Sequence, residues 1–283
     1  MRAVLERARS WFTPRRAVEL FAFGNLGFLA VDIYVAHSYN DFASDAEWVP
    51  VVFSAVSPFW LAATWALERK GRARAARVSG VVLGAVSIAI GVTGLVLHLE
   101  SEFFESRTLA SLVYAAPFAG PLAYTGLGLL LILDRVVDAE DPAWGPWVVA
   151  LALGGFVGNL ALTLADHAQS GFFDWREWIG VGAAAFAVAF LLLVLARPED
   201  ALLHRATRWM MLAQIGVGFL GFALHGLAYV RGPMDTLWEN AVYGAPPFAP
   251  LLFADMGILA LIGLWGMGAP SRQAGAIAVS TSR

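Results

Sequence analysis

Four of the five histidines in this 283-residue chain, His37, His98, His167 and His225, fall at related intervals. His37 and His167 are 130 residues apart and His98 and His225 are 127 apart, and Glu47 and Glu177 repeat the 130-residue interval. Two imidazoles with a carboxylate form a donor set that suits a transition-metal ion such as Fe, Cu or Zn. A carboxylate that misses the ion can instead orient a ligand imidazole through its other ring nitrogen. Asp32 and Asp166 are expected as further ligands or as orienting partners. Measured from Gly24-Asn25-Leu26 and Gly158-Asn159-Leu160 the two aspartates align; measured from the histidines they differ by four residues, about one helical turn. The same histidines also fit haem b, with His37 and His98 on one iron and His167 and His225 on another. The structural alternative is that these side chains cap helices at a membrane edge, where Trp48 and Trp178 read as interface anchors.

The chain that must position these groups is 59% hydrophobic and 14% charged, against about 25% charge in an ordinary soluble domain. A net charge of -3 gives no basic surface for nucleic acid, and the absence of cysteine excludes disulfides, thiolate metal sites and thiol nucleophiles. A single lysine, Lys70, lies beside a charged loop and is out of place for a buried Schiff base. No Walker loop, Gly-x-Ser-x-Gly elbow or His-Glu-x-x-His motif occurs.

A helix needs roughly 20 apolar residues to cross the hydrocarbon core. Eight stretches meet that need: 17–37, 48–67, 78–99, 109–133, 144–167, 176–196, 207–230 and 242–267. They predict an all-α integral membrane protein. Residues 1–16 read as a cytoplasmic amphipathic segment rather than a cleavable signal, and 268–283 as a cytoplasmic tail. With both termini inside, sixteen basic residues face the cytoplasm and only Arg107, Arg176 and Arg231 face outward. The bacterial plasma membrane is the expected location.

Internal similarity divides the chain in two. Tyr114-Ala-Ala-Pro117 through Tyr124 matches Tyr243-Gly-Ala-Pro246 through Phe253 without a gap at an offset of 129. With the Gly-Asn-Leu and His…Glu-Trp matches, this predicts two tandem four-helix units, 17–135 and 144–267, related by a pseudo-twofold axis along the membrane normal. All four histidines then lie at the outward ends of odd-numbered spans. Two four-helix halves that each offer two histidines are similar in outline to haem A synthases. The Glu-x-x-His-Arg pattern of that family is absent, so the likeness implies no residue roles.

The remaining polar residues divide by position. Asp255 in the last span has Gly126 as its counterpart, which makes it the candidate for catalysis confined to one half, as a proton-transfer or substrate-contacting group. Asn25 and Asn159 are expected in interhelical hydrogen bonds. Glu19 is expected to pair with Arg15 and Arg16, and His204 to sit solvated among arginines. The paired prolines of spans four and eight are expected to kink those helices and free backbone carbonyls. Gly80, Gly84, Gly91 and Gly94 read as close-packing positions. Three functions fit: a metalloprotein doing redox or oxygenation chemistry on a small or lipid-soluble substrate at the outer face; a haem b electron-transfer subunit with membrane or periplasmic partner subunits; and a transporter or channel built from parallel repeats.

Overall fold

A computed structural model describes residues 12–101 and 103–268. Residues 1–11 of the expected amphipathic segment and the tail beyond 268 lie outside the described residues. Among the described residues all regular structure is helical. The first helix, α1 (Pro14–His37), starts where Thr13 accepts the Arg16 amide at 3.3 Å and Pro14 occupies the first turn, where its missing N–H costs nothing. It is followed by α2 (Trp48–Arg69), α3 (Ala73–Glu100), a short α4 (Phe103–Ser106), α5 (Leu109–Tyr114) and α6 (Leu122–Val136). The second series is α7 (Trp144–Ser170), α8 (Glu177–Ala196), α9 (Ala201–Val230), α10 (Leu237–Tyr243) and α11 (Leu251–Gly266).

Six of these helices, α1, α2, α3, α7, α8 and α9, are long and apolar enough to cross a membrane. Their mean hydropathy reaches 2.7 in α8 and 2.3 in α3. Large apolar side chains stand exposed halfway along them: Phe59 at 76%, Phe186 at 60% and Phe219 at 59%. Water would penalise such a surface, and lipid does not. The protein is a multi-pass helical membrane protein.

The two stretches expected as spans four and eight are not continuous helices. Each is split by its prolines, between Tyr114 and Leu122 and between Tyr243 and Leu251. Proline has no N–H to give the preceding turn and disfavours helical backbone in the residue before it. The remaining helices, 15 residues in α6 and 16 in α11, are about 22–24 Å long, short of the roughly 30 Å hydrocarbon core.

Two groups of four helices result. In one, α1 packs on α2, α2 on α3, α3 on α6 and α6 on α1; in the other, α7, α8, α9 and α11 pack in the same order. The groups meet where α6 lies against α7 and α11 against α1, with α5 leaning on α7 and α10 on α1. Glycines let α3 and α6, and α9 and α11, come close. A Cβ on Gly91 would lie 2.8 Å from the Pro121 carbonyl oxygen, and one on Gly218 would lie 3.0 Å from that of Pro250. Polar side chains tie the interior: Ser87 Oγ donates to the Tyr124 carbonyl at 2.7 Å, Trp60 Nε1 to Ser79 Oγ at 2.9 Å and Gln214 Nε2 to the Ala183 carbonyl at 2.9 Å.

Because the obstructing atoms are backbone, a side chain at these notches must push helices apart, a cost of about 1–3 kcal/mol. Gly91→Leu and Gly218→Leu should each lower the melting temperature in detergent. Gly216→Leu, whose Cβ meets nothing within 4 Å, should leave it within about a degree.

Candidate functional site

His37 closes α1, and the chain then reverses through a single 3-10 turn, Ser38–Asn40. The reversal places Asp41 and Phe42 in left-handed backbone, at φ 55° and 54°. For a residue as bulky as Phe42 such backbone costs of order 1–3 kcal/mol, so the surroundings must enforce it. They do so in two ways: the Phe42 N–H donates to the His37 carbonyl at 3.2 Å, and its ring stacks on Trp48 at 4.1 Å. Ser44 then caps a short turn by accepting the Ala46 amide, and Glu47 arrives at the start of α2. Its Oε2 lies 3.1 Å from His37 Nδ1, and its Oε1 accepts from Asn40 Nδ2 at 3.0 Å.

The same construction recurs at the end of α7. Phe172 has φ 52°, donates its N–H to the His167 carbonyl at 3.0 Å and stacks on Trp178 at 4.1 Å. Glu177 Oε2 lies 3.4 Å from His167 Nδ1. Here Asp174 replaces Ser44 as the cap, accepting the Arg176 amide at 2.9 Å. Hydrogen bonds from the Arg176 side chain and backbone, with its charge, hold the half-buried Asp174 carboxyl down to about 2.

The other two histidines are held by the proline breaks. His98 Nδ1 lies 3.0 Å from the Pro117 carbonyl oxygen and His225 Nδ1 lies 2.7 Å from that of Pro246. A carbonyl only accepts, so in both rings Nδ1 carries the hydrogen and Nε2 keeps a free lone pair. In His37 and His167 it is likewise Nδ1 that lies nearest an acceptor, the carboxylate of Glu47 or Glu177. The His37 and His98 rings, from α1 and α3, stand 6.2 Å apart at 79°. His225 of α9 lies near His167 of α7 in the corresponding place.

Glu47 and Glu177 therefore stand on the Nδ1 side of their histidines. Among the described residues no group of three or more His, Asp or Glu side chains converges to hold a metal ion. Asp32 is placed elsewhere. It lies seven residues from Asn25, two turns along α1 and on nearly the same face, whereas His37 is turned from Asn25 by about 120° at 3.6 residues per turn. On that face Asp32 and Asn25 lie near Asp255 of α11, and Asn25 Nδ2 donates to the Phe21 carbonyl of its own helix at 3.1 Å rather than across helices. Asp32 also lies near Tyr124 of α6. In the second group Asp166 keeps the seven-residue spacing to Asn159. No carboxylate corresponds to Asp255: a Cβ on Gly126 meets nothing within 4 Å, and the buried Asn159 Nδ2 has no hydrogen-bond partner.

Two expectations at the opposite end of the helices need correction. His204 is buried, at 3% exposure in the first turn of α9, and not solvated. Glu19 does pair with Arg16, at 2.7 Å, but it is also buried against Arg135 of α6 at 2.8 Å. Arg135 in turn reaches Glu68 of α2 at 2.7 Å, and Glu68 reaches Arg15 at 3.4 Å. Asp134, 3% exposed, completes this cluster with Arg15 at 3.6 Å. The ion network links α1, α2 and α6. Sequence position offered only a weak signal, an Asp-Arg pair ending an apolar helix, since its three acidic members come from three separate helices.

The cluster yields a test by substitution. Removing one member leaves buried charge uncompensated at a cost of about 3–5 kcal/mol, whereas replacing the whole set by apolar residues is often neutral. Arg135→Leu should sharply reduce folded yield in size-exclusion chromatography. Adding Glu19→Leu and Glu68→Leu should restore most of it.

Comparison with protein families, with characterised proteins and with solved structures found no match for this chain.

Proposed function

We propose that this protein is a metal-holding membrane protein of the bacterial plasma membrane, formed by tandem duplication of a four-helix unit. It has eight passes, with both termini in the cytoplasm. Each broken helix, with its short outer piece and proline turn, counts as one pass. The duplication is supported by the recurrence of one construction 127 to 130 residues on: the strained Phe stacked on Trp, the His–Glu pair and the His–proline carbonyl contact. In this reading each half holds one transition-metal ion, Fe, Cu or Zn, through the Nε2 atoms of two histidines at the outer face. His37 with His98 and His167 with His225 are the ligands. Glu47, Glu177 and the proline carbonyls fix the tautomer and orientation from behind. Oxygenation or other redox chemistry on a small or lipid-soluble substrate is the proposed use, with Asp255 moving protons.

The observation that carries the reading is the common orientation of the rings. Four imidazoles at one end of the helices all turn Nδ1 toward an acceptor, a proline carbonyl at hydrogen-bond distance for His98 and His225 and a glutamate carboxylate within 3.1 to 3.4 Å for His37 and His167, which leaves Nε2 for a metal.

A second reading, haem b, is favoured by one distance. Two imidazoles on opposite sides of one iron, each nitrogen about 2.0–2.1 Å from it, bring their ring centres to about the 6.2 Å found for His37 and His98. The chain would then be an electron-transfer subunit.

Elemental analysis and an optical spectrum of protein purified in mild detergent decide between these readings. About two equivalents of Fe, Cu or Zn per chain without a Soret band is the expected result. A Soret band with iron would establish the haem form. Neither metal nor haem would remove both readings and leave a transporter or channel of parallel repeats.

Alanine at His37 and His167 together should abolish metal retention, with unchanged elution in size-exclusion chromatography. Glu47→Gln with Glu177→Gln should weaken metal retention about 10–100-fold, the usual effect of losing an orienting partner.

A further inference from the structure

Beside the His37 site, a cleft of about 280 Å³ opens at the contact between the two helix groups. The first group supplies Tyr34, Asp41, Phe42 and Trp48, and α10 of the second supplies Trp238 and Tyr243. The Tyr34 ring centre is 5.5 Å from Phe42, 6.2 Å from Trp48 and 6.4 Å from Trp238, so one small group can touch several ring faces at once. Asp41 is the one charged residue in the lining, and its carboxylate stands at an exposed position. The volume lies at the small end of ligand sites, about 300–1,000 Å³. Tyr34, Trp48, Trp238 and Tyr243 keep 43 to 51% of their surface exposed, so the aromatic walls are open to an occupant.

Comparison with the corresponding positions separates this lining from the scaffold beneath it. Phe42, Trp48 and Tyr243 have aromatic counterparts in Phe172, Trp178 and Tyr114. Tyr34 and Asp41 do not, being matched at the 130-residue offset by Leu164 and Gly171. Trp238 falls opposite Leu109 or Ala110, according to whether the register is taken from Tyr243 or from the Thr236 cap. The same turn therefore forms without these three groups. At the left-handed position Gly171 adopts φ 73° freely, whereas Asp41 sits at 55° with a Cβ that this backbone disfavours. A carboxylate is retained where the fold is better served by glycine.

We propose that this cleft binds a quaternary ammonium group, either of a free organic cation or of a lipid headgroup. Aromatic faces attract a cation through the negative centre of the ring, within about 6 Å of the ring centroid. They also accept its methyl groups as apolar surface, and Asp41 balances the charge. The site does not depend on metal at the histidines.

Equilibrium dialysis of labelled choline against protein in phosphatidylglycerol nanodiscs tests the proposal. Saturable binding is expected, at least about tenfold tighter than for the uncharged isostere 3,3-dimethylbutanol. Asp41→Gly and Trp238→Leu should each weaken binding about tenfold or more without lowering the melting temperature, since the corresponding positions 171 and 109 or 110 carry such residues. Repeating the titration in phosphatidylcholine nanodiscs separates the sources. Choline binding suppressed there identifies the lipid headgroup as occupant, and binding retained there identifies a free cation. Absence of saturable binding in phosphatidylglycerol, equal binding of the isostere, or full binding by Asp41→Gly would each overturn the proposal.

Discussion

In a hydrocarbon medium no water completes a hydrogen bond, so a buried backbone donor or acceptor is costly unless it finds its partner within the protein. This constraint organises the structure from its breaks outward. The prolines after Tyr114 and Tyr243 end a helix where a continuous one would satisfy its own backbone. The carbonyls of Pro117 and Pro246 lie outside the helices, and His98 and His225 contact them, the Pro117 carbonyl also accepting the Gly120 N–H at 3.0 Å. A break in one helix thus fixes the tautomer of a histidine on its neighbour. The glycine notches on α3 and α9 bring those neighbours within reach.

The loops after α1 and α7 solve a related problem by another route. Each must turn the chain sharply enough to set a glutamate behind a histidine. A phenylalanine in left-handed backbone makes the turn, and a tryptophan stacked at 4.1 Å holds it there. Strain and stacking offset one another locally, and the outcome is a His–Glu contact of 3.1 or 3.4 Å. Trp48 and Trp178, which as sequence read as interface anchors, act here as the clamp on the turn.

The two helix groups are alike in packing order and at the histidine-bearing ends of their helices, and they differ in particular polar side chains. One has a buried ion network at the opposite end, with Arg135 at its centre; at the 129-residue offset Arg135 corresponds to Leu264, which is fully buried. One sets Asp255 beside Asn25 and Asp32, while the buried Asn159 Nδ2 has no hydrogen-bond partner. One turn carries Asp41 and the other Gly171. These differences concentrate at the contact between the groups and at the ends of the helices. A site specific to one half can be built there without disturbing the shared packing.

Apolar length and charge asymmetry are local properties of the chain, so the helix positions were legible in the sequence: six of the eight stretches appear as long helices with ends within a few residues of those expected. The prolines and their neighbours likewise announced the breaks, though not that each stretch would divide into separate helices. The intervals among His37, Glu47, His98 and their counterparts paired the right residues. They could not say which atom of each faces which partner, because a ring nitrogen's environment is set by a neighbouring helix. Only the tertiary structure set the glutamates on the Nδ1 side of their histidines and Asp32 near Asp255. Helix rotation decided both, since a residue's depth follows from its position along the chain but its facing depends on how the helices pack. The burial of Arg135 and His204 followed from packing in the same way, through contacts among helices far apart in sequence.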